Sequence, residues 1–183
     1  MNELNPEFIH LNPMKKAESE RYLWGYLYLL LVAIVVIALD QGMKLLVRAN
    51  LNVGGTWTPW EWLSDYAVIV HTWNTGMTLG FLKGTNGLFI ALSEIICISI
   101  LLLFPTIIRK RNTLTIGLGL GLILGGAAGN LIDRVFIGYV TDIFLVTYLP
   151  VFNLADLSVL FGAFILSFGL IFDNQEGEQS ENE

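Results

Sequence analysis

Four apolar stretches dominate this 183-residue sequence and limit what it can fold into. They cover residues 22–39, about 87–104, 114–131 and about 154–172. Each has about the eighteen to twenty residues that a helix needs to cross a bilayer. Hydrophobic residues make up 54% of the chain and charged residues 14%, and the mean hydropathy of +0.62 is too high for a soluble core wrapped in polar surface. The sequence therefore predicts a mainly α-helical membrane protein with four transmembrane helices.

The rest of the sequence divides around these stretches. Residues 1–21 form a polar N-terminal segment, residues 22–172 the four-helix domain, and residues 173–183 an acidic tail that we expect to be solvated and disordered. An insert of about residues 45–84 separates the first two helices. The first stretch runs into Asp40 without a small-residue cleavage site, so we expect it to remain as an anchor rather than to be removed as a secretory signal.

The basic residues near the ends of the spans predict the orientation. One side of the membrane receives six of them, Lys15, Lys16, Arg21, Arg109, Lys110 and Arg111, and the other receives four, Lys44, Arg48, Lys83 and Arg134. Because Lys and Arg are enriched in cytoplasmic loops, we expect both termini to be cytoplasmic.

The insert is too polar to cross a bilayer, and its pattern favours a small β-rich unit. The segment GGTWTPWEW is typical of a turn. The segment YAVIVHTWNTG follows shortly after it and favours a β-strand. Its Trp and Tyr residues suit the headgroup layer, where an aromatic ring is half wet. We therefore expect an extracytoplasmic cradle or flap between helices 1 and 2, although simple interfacial anchoring explains each single Trp equally well.

Ionisable residues gather where the apolar stretches end. Asp142 in VTDIF and Asp156 in FNLAD are fourteen positions apart, and an acid at membrane depth is costly and usually functional. Asp40 and Lys44 are four apart on one helical face and are predicted to form an ion pair. Asn130, Asp133 and Arg134 follow the small residues of GLGLGLILGGAAGN, and Arg134 is expected to hold a carboxylate through a fork of hydrogen bonds.

The motifs DQGMK, NTGMTLGF, GGAAGNLIDR, YVTDIF and FNLAD occur in this order, and with them the chain resembles the lipoprotein signal peptidases, or signal peptidase II. The resemblance covers about residues 22–172. It implies an intramembrane aspartic endopeptidase of the bacterial inner membrane, with its active site near the outer face. It implies Asp142 and Asp156 as the catalytic dyad and supporting roles in substrate binding or structure for Asp40, Lys44, Asn74, Gly125, Asn130, Asp133, Arg134 and Asn153.

The same resemblance implies the substrate, a prolipoprotein carrying a diacylglyceryl group, which is cut just before the lipidated cysteine. Two neighbouring carboxyls do not easily ionise together, so one is expected to keep its proton while the other activates water. Which of the two is charged stays open at this point. Partners are expected to be this substrate and membrane lipid, with no nucleic acid, no cofactor and no metal, and the chain is expected to be a monomer.

Two other functions remain open from the sequence. Glu94, inside the second apolar stretch, suggests a small proton-coupled transporter, although no internal repeat is visible. An inactive scaffold of the same fold is the other alternative, and the presence of both Asp142 and Asp156 argues against it.

Overall fold

The computed structural model describes residues 13–75, 86–109 and 113–180, with side chains described between residues 16 and 171 of these ranges. Four long helices account for most of it: α1 Pro13–Asn50, α2 Asn86–Ile108, α3 Thr113–Phe136 and α4 Leu154–Ser180. All four are long and apolar enough to cross a membrane. The predicted four-helix membrane fold is thus confirmed.

Helix α3 lies at the centre of the bundle and packs against α1, α2 and α4. In its most apolar stretch, 56% of the residues are buried inside the protein, against 22% or less for the other three helices. Its small residues explain the position, because in lipid helices associate by close packing rather than by escape from water. At one end of the bundle Leu29, Phe104, Ile108 and Ile116 form an apolar core.

The insert forms part of a three-stranded antiparallel sheet in the order β1 Thr56–Trp57, β2 Ala67–Asn74 and β3 Val140–Val146. The predicted small β-rich unit is present, but its third strand comes from the chain between α3 and α4 rather than from the insert. A bulge between Ile69 and Thr72 shifts the register, and beyond it Thr72 lies opposite Asp142. A short 3-10 helix, Glu61–Leu63, lies in the connection from β1 to β2.

Two helix ends differ from the sequence prediction. Helix α1 continues through Asp40 and Lys44 to Asn50, so the insert begins later than residue 45. The charged residues that suggested an end are accommodated because they are buried among partners. Helix α4 extends to Ser180, so the tail predicted to be disordered from residue 173 is helical to that point.

Candidate active site

Asn153 and Asp156 form the start of α4. The chain turns back after β3, and Phe152 pairs with Phe144, which places Asn153 beside the strand. The Oδ1 atom of Asn153 accepts a hydrogen bond from the backbone N–H of Asp156 at 3.0 Å. In return, Oδ2 of Asp156 accepts one from the backbone N–H of Asn153 at 3.1 Å. This reciprocal arrangement is a capping box, and it holds the Asp156 carboxylate at the helix N-terminus, where the dipole favours negative charge.

Asp142 lies on β3 and is only 4% exposed. Its Oδ2 accepts a hydrogen bond from Nδ2 of Asn74 at 2.9 Å, and its Oδ1 accepts one from Nδ2 of Asn153 at 3.0 Å. Burial raises the pKa of the Asp142 carboxyl to about 6, and the negative charge of Asp156 adds to the rise. The hydrogen bonds from Asn74 and Asn153 oppose this rise because they favour the charged form.

Two asparagines connect the acids. Asn153 contacts both Asp142 and Asp156, as described above. The Nδ2 atom of Asn130 donates to Oδ1 of Asp156 at 2.9 Å, and its Oδ1 accepts from Nδ2 of Asn153 at 3.1 Å. An ionised carboxylate offers about four acceptor sites, and these contacts use two on each acid. Both acids therefore retain acceptor capacity for a water molecule or a substrate, and Asp156 is partly exposed.

A buried charge cluster lies behind the acids. The Nζ atom of Lys44 is 2.8 Å from Oδ2 of Asp40 and 3.0 Å from Oδ2 of Asp133, and all three side chains are 0% exposed. Its third hydrogen bond goes to Oδ1 of Asn130 at 3.0 Å. The ion pair predicted between Asp40 and Lys44 is therefore present. Because Oδ1 of Asp40 also accepts the backbone N–H of Ala155 at 3.0 Å, the cluster is tied directly to the first turn of α4.

Arg48 is the second cation that pairs with Asp133, beside Lys44. The Nη1 atom of Arg48 is 3.3 Å from Oδ1 of Asp133 and donates to Oγ1 of Thr141 at 3.0 Å. Oδ2 of Asp133 also accepts the backbone N–H of Thr141 at 3.1 Å. These contacts fix the residue that precedes Asp142.

The sequence reasoning did not identify Arg48, Thr141 or Gln41 as part of the site. The amide of Gln41 donates to the backbone oxygen of Gly129 at 3.0 Å and to Oδ1 of Asp133 at 3.3 Å. A signal was available for Arg48, since it continues the i, i+4 series of Asp40 and Lys44 on one face of a helix.

Arg134 lies beside the cluster. Its guanidinium lies 5.1 Å from the centre of the Phe89 ring on α2, and Nη1 makes a long contact of 3.5 Å to the backbone oxygen of Asn130. Its Nε atom is buried without a hydrogen-bond partner. The fork to a carboxylate predicted for Arg134 is thus not formed in the described part of the chain, where Lys44 and Arg48 occupy Asp133.

Small residues of α3 let the helices approach at this level. A Cβ atom on Gly125 would lie 2.7 Å from Cβ of Val36 on α1, so this predicted site residue serves helix packing. A Cβ on Gly129 would lie 2.8 Å from Oδ2 of Asp40. Asn74 lies at the end of β2, whereas residues 76–81 of the predicted flap motif are outside the described residues.

Polar groups from α1, α3, α4 and two strands thus meet at one end of the bundle, here called the polar end. They are Asp40, Gln41, Lys44, Arg48, Asn74, Asn130, Asp133, Arg134, Thr141, Asp142, Asn153 and Asp156. Nine of the ten predicted site residues contribute a polar side chain there, and Gly125 packs beneath them. In the described ranges, no group of three or more His, Cys, Asp or Glu side chains is arranged to hold a metal ion.

The family model for signal peptidase (SPase) II matches residues 32–172. The chain belongs to this family. That range contains all ten predicted site residues, and membership makes the protein a peptidase and a multi-pass protein of the bacterial inner membrane. The resemblance inferred from the five sequence motifs is thereby confirmed.

Individual relatives agree with this family. The lipoprotein signal peptidase of Halothermothrix orenii is 40% identical over 136 residues, which cover 74% of this chain and 90% of the relative. That of Moorella thermoacetica is 35% identical and covers 82% and 95%. A solved bacterial membrane enzyme, determined by the in meso method at 2.3 Å resolution, superposes with a TM-score of 0.71 at 27% identity, covering 81% of this chain and 90% of that structure.

Proposed function

We propose that this signal peptidase II protein removes signal peptides from diacylglyceryl-modified prolipoproteins by cleaving before the lipidated cysteine, with Asp142 and Asp156 as an aspartic dyad. The observation that carries the proposal is the shared partner of the two acids. The side chain of Asn153 donates to Oδ1 of Asp142 at 3.0 Å, and its backbone N–H donates to Oδ2 of Asp156 at 3.1 Å. Both carboxyls are therefore held by one buried residue.

The environments of the two acids support different roles. Burial raises the pKa of Asp142 to about 6, so this acid is the one that more readily keeps a proton. Asp156 is partly exposed and lies at a helix N-terminus, where negative charge is favoured. We assign Asp142 as the general acid and Asp156 as the general base, since an acid pair whose environments differ can divide the work in this way.

The reaction then balances with water as the only co-reactant. Asp156 takes a proton from water while the water oxygen attacks the scissile carbonyl carbon, and Asp142 gives its proton to the carbonyl oxygen. The tetrahedral intermediate collapses when the proton on Asp156 passes to the peptide nitrogen and the proton on the intermediate's hydroxyl returns to Asp142. The C–N bond breaks, which leaves a carboxyl end on the signal peptide and a free amine on the lipidated cysteine. General acid–base catalysis of this kind contributes about a hundred- to ten-thousandfold in rate.

The remaining polar residues are proposed as supports for the dyad. Asn74 and Asn153 orient the Asp142 carboxyl, and Asn130 orients that of Asp156. Lys44 and Arg48 neutralise Asp40 and Asp133 behind them. Arg134 lies at the edge of the cluster, where its unused Nε–H is available to a substrate carbonyl. We expect this end of the bundle to face the outside of the cell and the chain to act as a monomer.

The direct test is cleavage of a diacylglyceryl-modified prolipoprotein by the purified protein, with Asp142→Asn and Asp156→Asn beside the wild type. Each variant keeps the side-chain shape but loses the titrating proton, so we expect cleavage to fall by at least a thousandfold in each. Asp65→Asn, which removes an exposed acid outside the site, is the matched control and is expected to cleave normally. A folded Asp142→Asn or Asp156→Asn protein that cleaves at the wild-type rate would refute the dyad.

The role assignment has its own readout. The kcat/KM value reports the ionisation of the free enzyme, so a general acid with the pKa of Asp142 predicts that kcat/KM declines as the pH rises above about 6. If kcat/KM instead rose with pH through this range, Asp142 would be the general base.

The transporter suggested by Glu94 receives no further support. Glu94 is an exposed residue of α2, and the hydrogen bonds of the two aspartates in the described part of the chain do not involve it.

A further inference from the structure

A cluster of exposed aromatic residues lies on the sheet at the polar end, apart from the aspartates. The cluster, here called the aromatic platform, comprises the aromatic residues Trp57, Trp60, Trp62, Tyr66 and Tyr148 together with the apolar Leu149. Each of these side chains is more than half exposed, from 52% for Trp57 to 100% for Tyr148. A set of large exposed apolar side chains gathered on neighbouring loops indicates an interaction surface rather than ordinary scatter.

Two separate loops build the platform and are tied together. Trp57 is the last residue of β1, Trp60, Trp62 and Tyr66 lie between β1 and β2, and Tyr148 and Leu149 follow β3. The hydroxyl of Thr147 donates to the backbone oxygen of Asp65 at 2.8 Å, and its N–H donates to that of Tyr66 at 2.8 Å. The rings of Trp60 and Trp62 stack with their centroids 6.0 Å apart. The surface is therefore preformed by local contacts.

The fully exposed Tyr148 has an unfavourable backbone conformation. Tyr148 has a φ of 69°, in the left-handed region that disfavours a side chain. The backbone N–H of Leu149 bonds to the oxygen of Val146, so Tyr148 occupies the third position of a turn, where glycine is usual. A strained residue that gains no protein contact for its ring points to a partner outside the chain.

The charge of the platform narrows the choice of partner. No Lys or Arg occurs from residue 49 to residue 82 or after Arg134, while Glu61 and Asp65 lie within the first loop. A surface with aromatic rings and two acids is not attracted to anionic lipid or to nucleic acid. It suits the interface of a zwitterionic bilayer, where Trp and Tyr rings are half in hydrocarbon and half in water.

The position of the platform next to a membrane-spanning helix also fits the interface of a bilayer. The platform begins a few residues after α1 ends at Asn50, and α1 is a membrane-spanning helix. We propose that the aromatic platform seats in the headgroup layer of a zwitterionic lipid surface and holds the sheet, with Asp142 on it, at that depth. The membrane then fixes the height of one acid relative to the acyl chains of a lipid-anchored substrate.

The test uses tryptophan fluorescence in vesicles. A variant with Trp24→Phe and Trp73→Phe retains only Trp57, Trp60 and Trp62 as reporters. In phosphatidylcholine vesicles we expect strong quenching by bromines near the carbonyl ends of the acyl chains, weaker quenching by bromines near the terminal methyls, and little quenching by aqueous iodide. Because no basic residue is involved, adding phosphatidylglycerol is not expected to deepen the rings at any salt concentration.

A matched variant retains only Trp24, which lies near the start of α1 at the other end of the bundle, and checks that quenching reports depth generally. Strong quenching of the platform reporters by iodide without quenching by bromolipid would overturn the proposal, since the rings would then be in water. Loss of bromolipid quenching when a lipidated substrate is added would also overturn it, because the platform would then be a substrate flap. These readouts do not need catalysis, so they are independent of the proposed dyad.

Discussion

At the scale of single residues, burial and hydrogen bonding act in opposite directions on the carboxyl of Asp142. Its carboxyl is almost fully buried, yet it accepts hydrogen bonds from two asparagine amides that favour its charged form. The pKa of Asp142 is raised to about 6, because the effect of burial is larger than that of the hydrogen bonds. A site that keeps one acid protonated close to neutral pH does so at the expense of stability.

This balance predicts a pH-dependent stability that depends on Asp142. The folded protein holds the proton more tightly than the unfolded chain, so this group lowers stability as the pH rises from about 4 to about 6, and the loss persists above that. A shift of this size corresponds to about 3 kcal/mol. Asp142→Asn is therefore expected to melt at a higher temperature than the wild type at pH 7.5, but not at pH 4.

Thermal unfolding in detergent across this pH range measures the effect. Asp65→Asn provides the control, because Asp65 is exposed and its removal should leave the wild-type curve unchanged. Parallel curves for the wild type and Asp142→Asn would show that burial of this carboxyl does not control the stability.

Lys44 is the residue on which the buried charges depend. It is the shared cation of Asp40 and Asp133, and all three side chains are fully buried. Lys44→Met would leave Asp40 without a cation, and removing one partner of a buried pair costs roughly 3–5 kcal/mol. We expect a severe loss of folded protein, measured as the monodisperse fraction after extraction in detergent.

The double variant Lys44→Met with Asp40→Asn distinguishes charge from packing, because it removes the unpaired carboxylate as well. Part of the stability should return. Lys16→Met, at an exposed position of α1, should behave as the wild type. If Lys44→Met alone were as stable as this control, the buried ion cluster would not contribute to the fold.

At the scale of elements, the site depends on how closely α1, α3 and α4 approach. Gly129 of α3 lies against the carboxylate of Asp40 on α1, and Asp40 in turn caps the first turn of α4. Gly126 lies against the backbone oxygen of Ala155. The small residues of α3 are thus required at particular contacts and not only for general packing in lipid.

Gly129→Ala is expected to be destabilising by roughly 1–3 kcal/mol, as overpacking in a closed site usually is. Its Cβ would lie 2.8 Å from an oxygen of Asp40 that is already bonded to Lys44 and Gln41, so moving this oxygen would disturb both bonds. Gly42→Ala on α1 is the control, since a Cβ there meets nothing within 4 Å and Ala is the better helix former. Equal melting temperatures for the two variants would contradict this account.

The elements also show where sequence reasoning reaches its limit. The four helices follow from apolar length, and the pairing of Asp40 with Lys44 follows from helical spacing. Strand β3 was missed because Val140–Val146 is a short run whose partner, β2, lies far away in the chain. The pairing of Asp133 with Arg48 could not be predicted from spacing alone, because Arg48 comes close to Asp133 only after α1 has packed on α3.

For the molecule as a whole, the sequence predicts four spans with both ends of the chain on one side of the membrane. Helix α1 has 38 residues and is therefore about 57 Å long at 1.5 Å per residue. This exceeds the hydrocarbon core of about 30 Å, so both ends of α1 reach water or headgroups. The sequence predicts that Ser19 lies in the cytoplasm and that Tyr148, in the turn after β3, lies outside.

Labelling of single cysteines tests this orientation. In a Cys97→Ala background, Tyr148→Cys is expected to react with a membrane-impermeant maleimide on intact cells, because Tyr148 is fully exposed. Ser19→Cys, also at an exposed position, should react only after the membrane is opened. The reverse pattern would place the polar end in the cytoplasm.

The capping box at the start of α4 has a consequence for the timing of activity. On the proposed assignment, Asp156 is both the base and the residue that closes the first turn of the last helix. A chain whose α4 has not yet docked lacks this residue in position. Proteolytic capacity would arise only with the final docking of α4, so that no partly built molecule can cut the peptides around it.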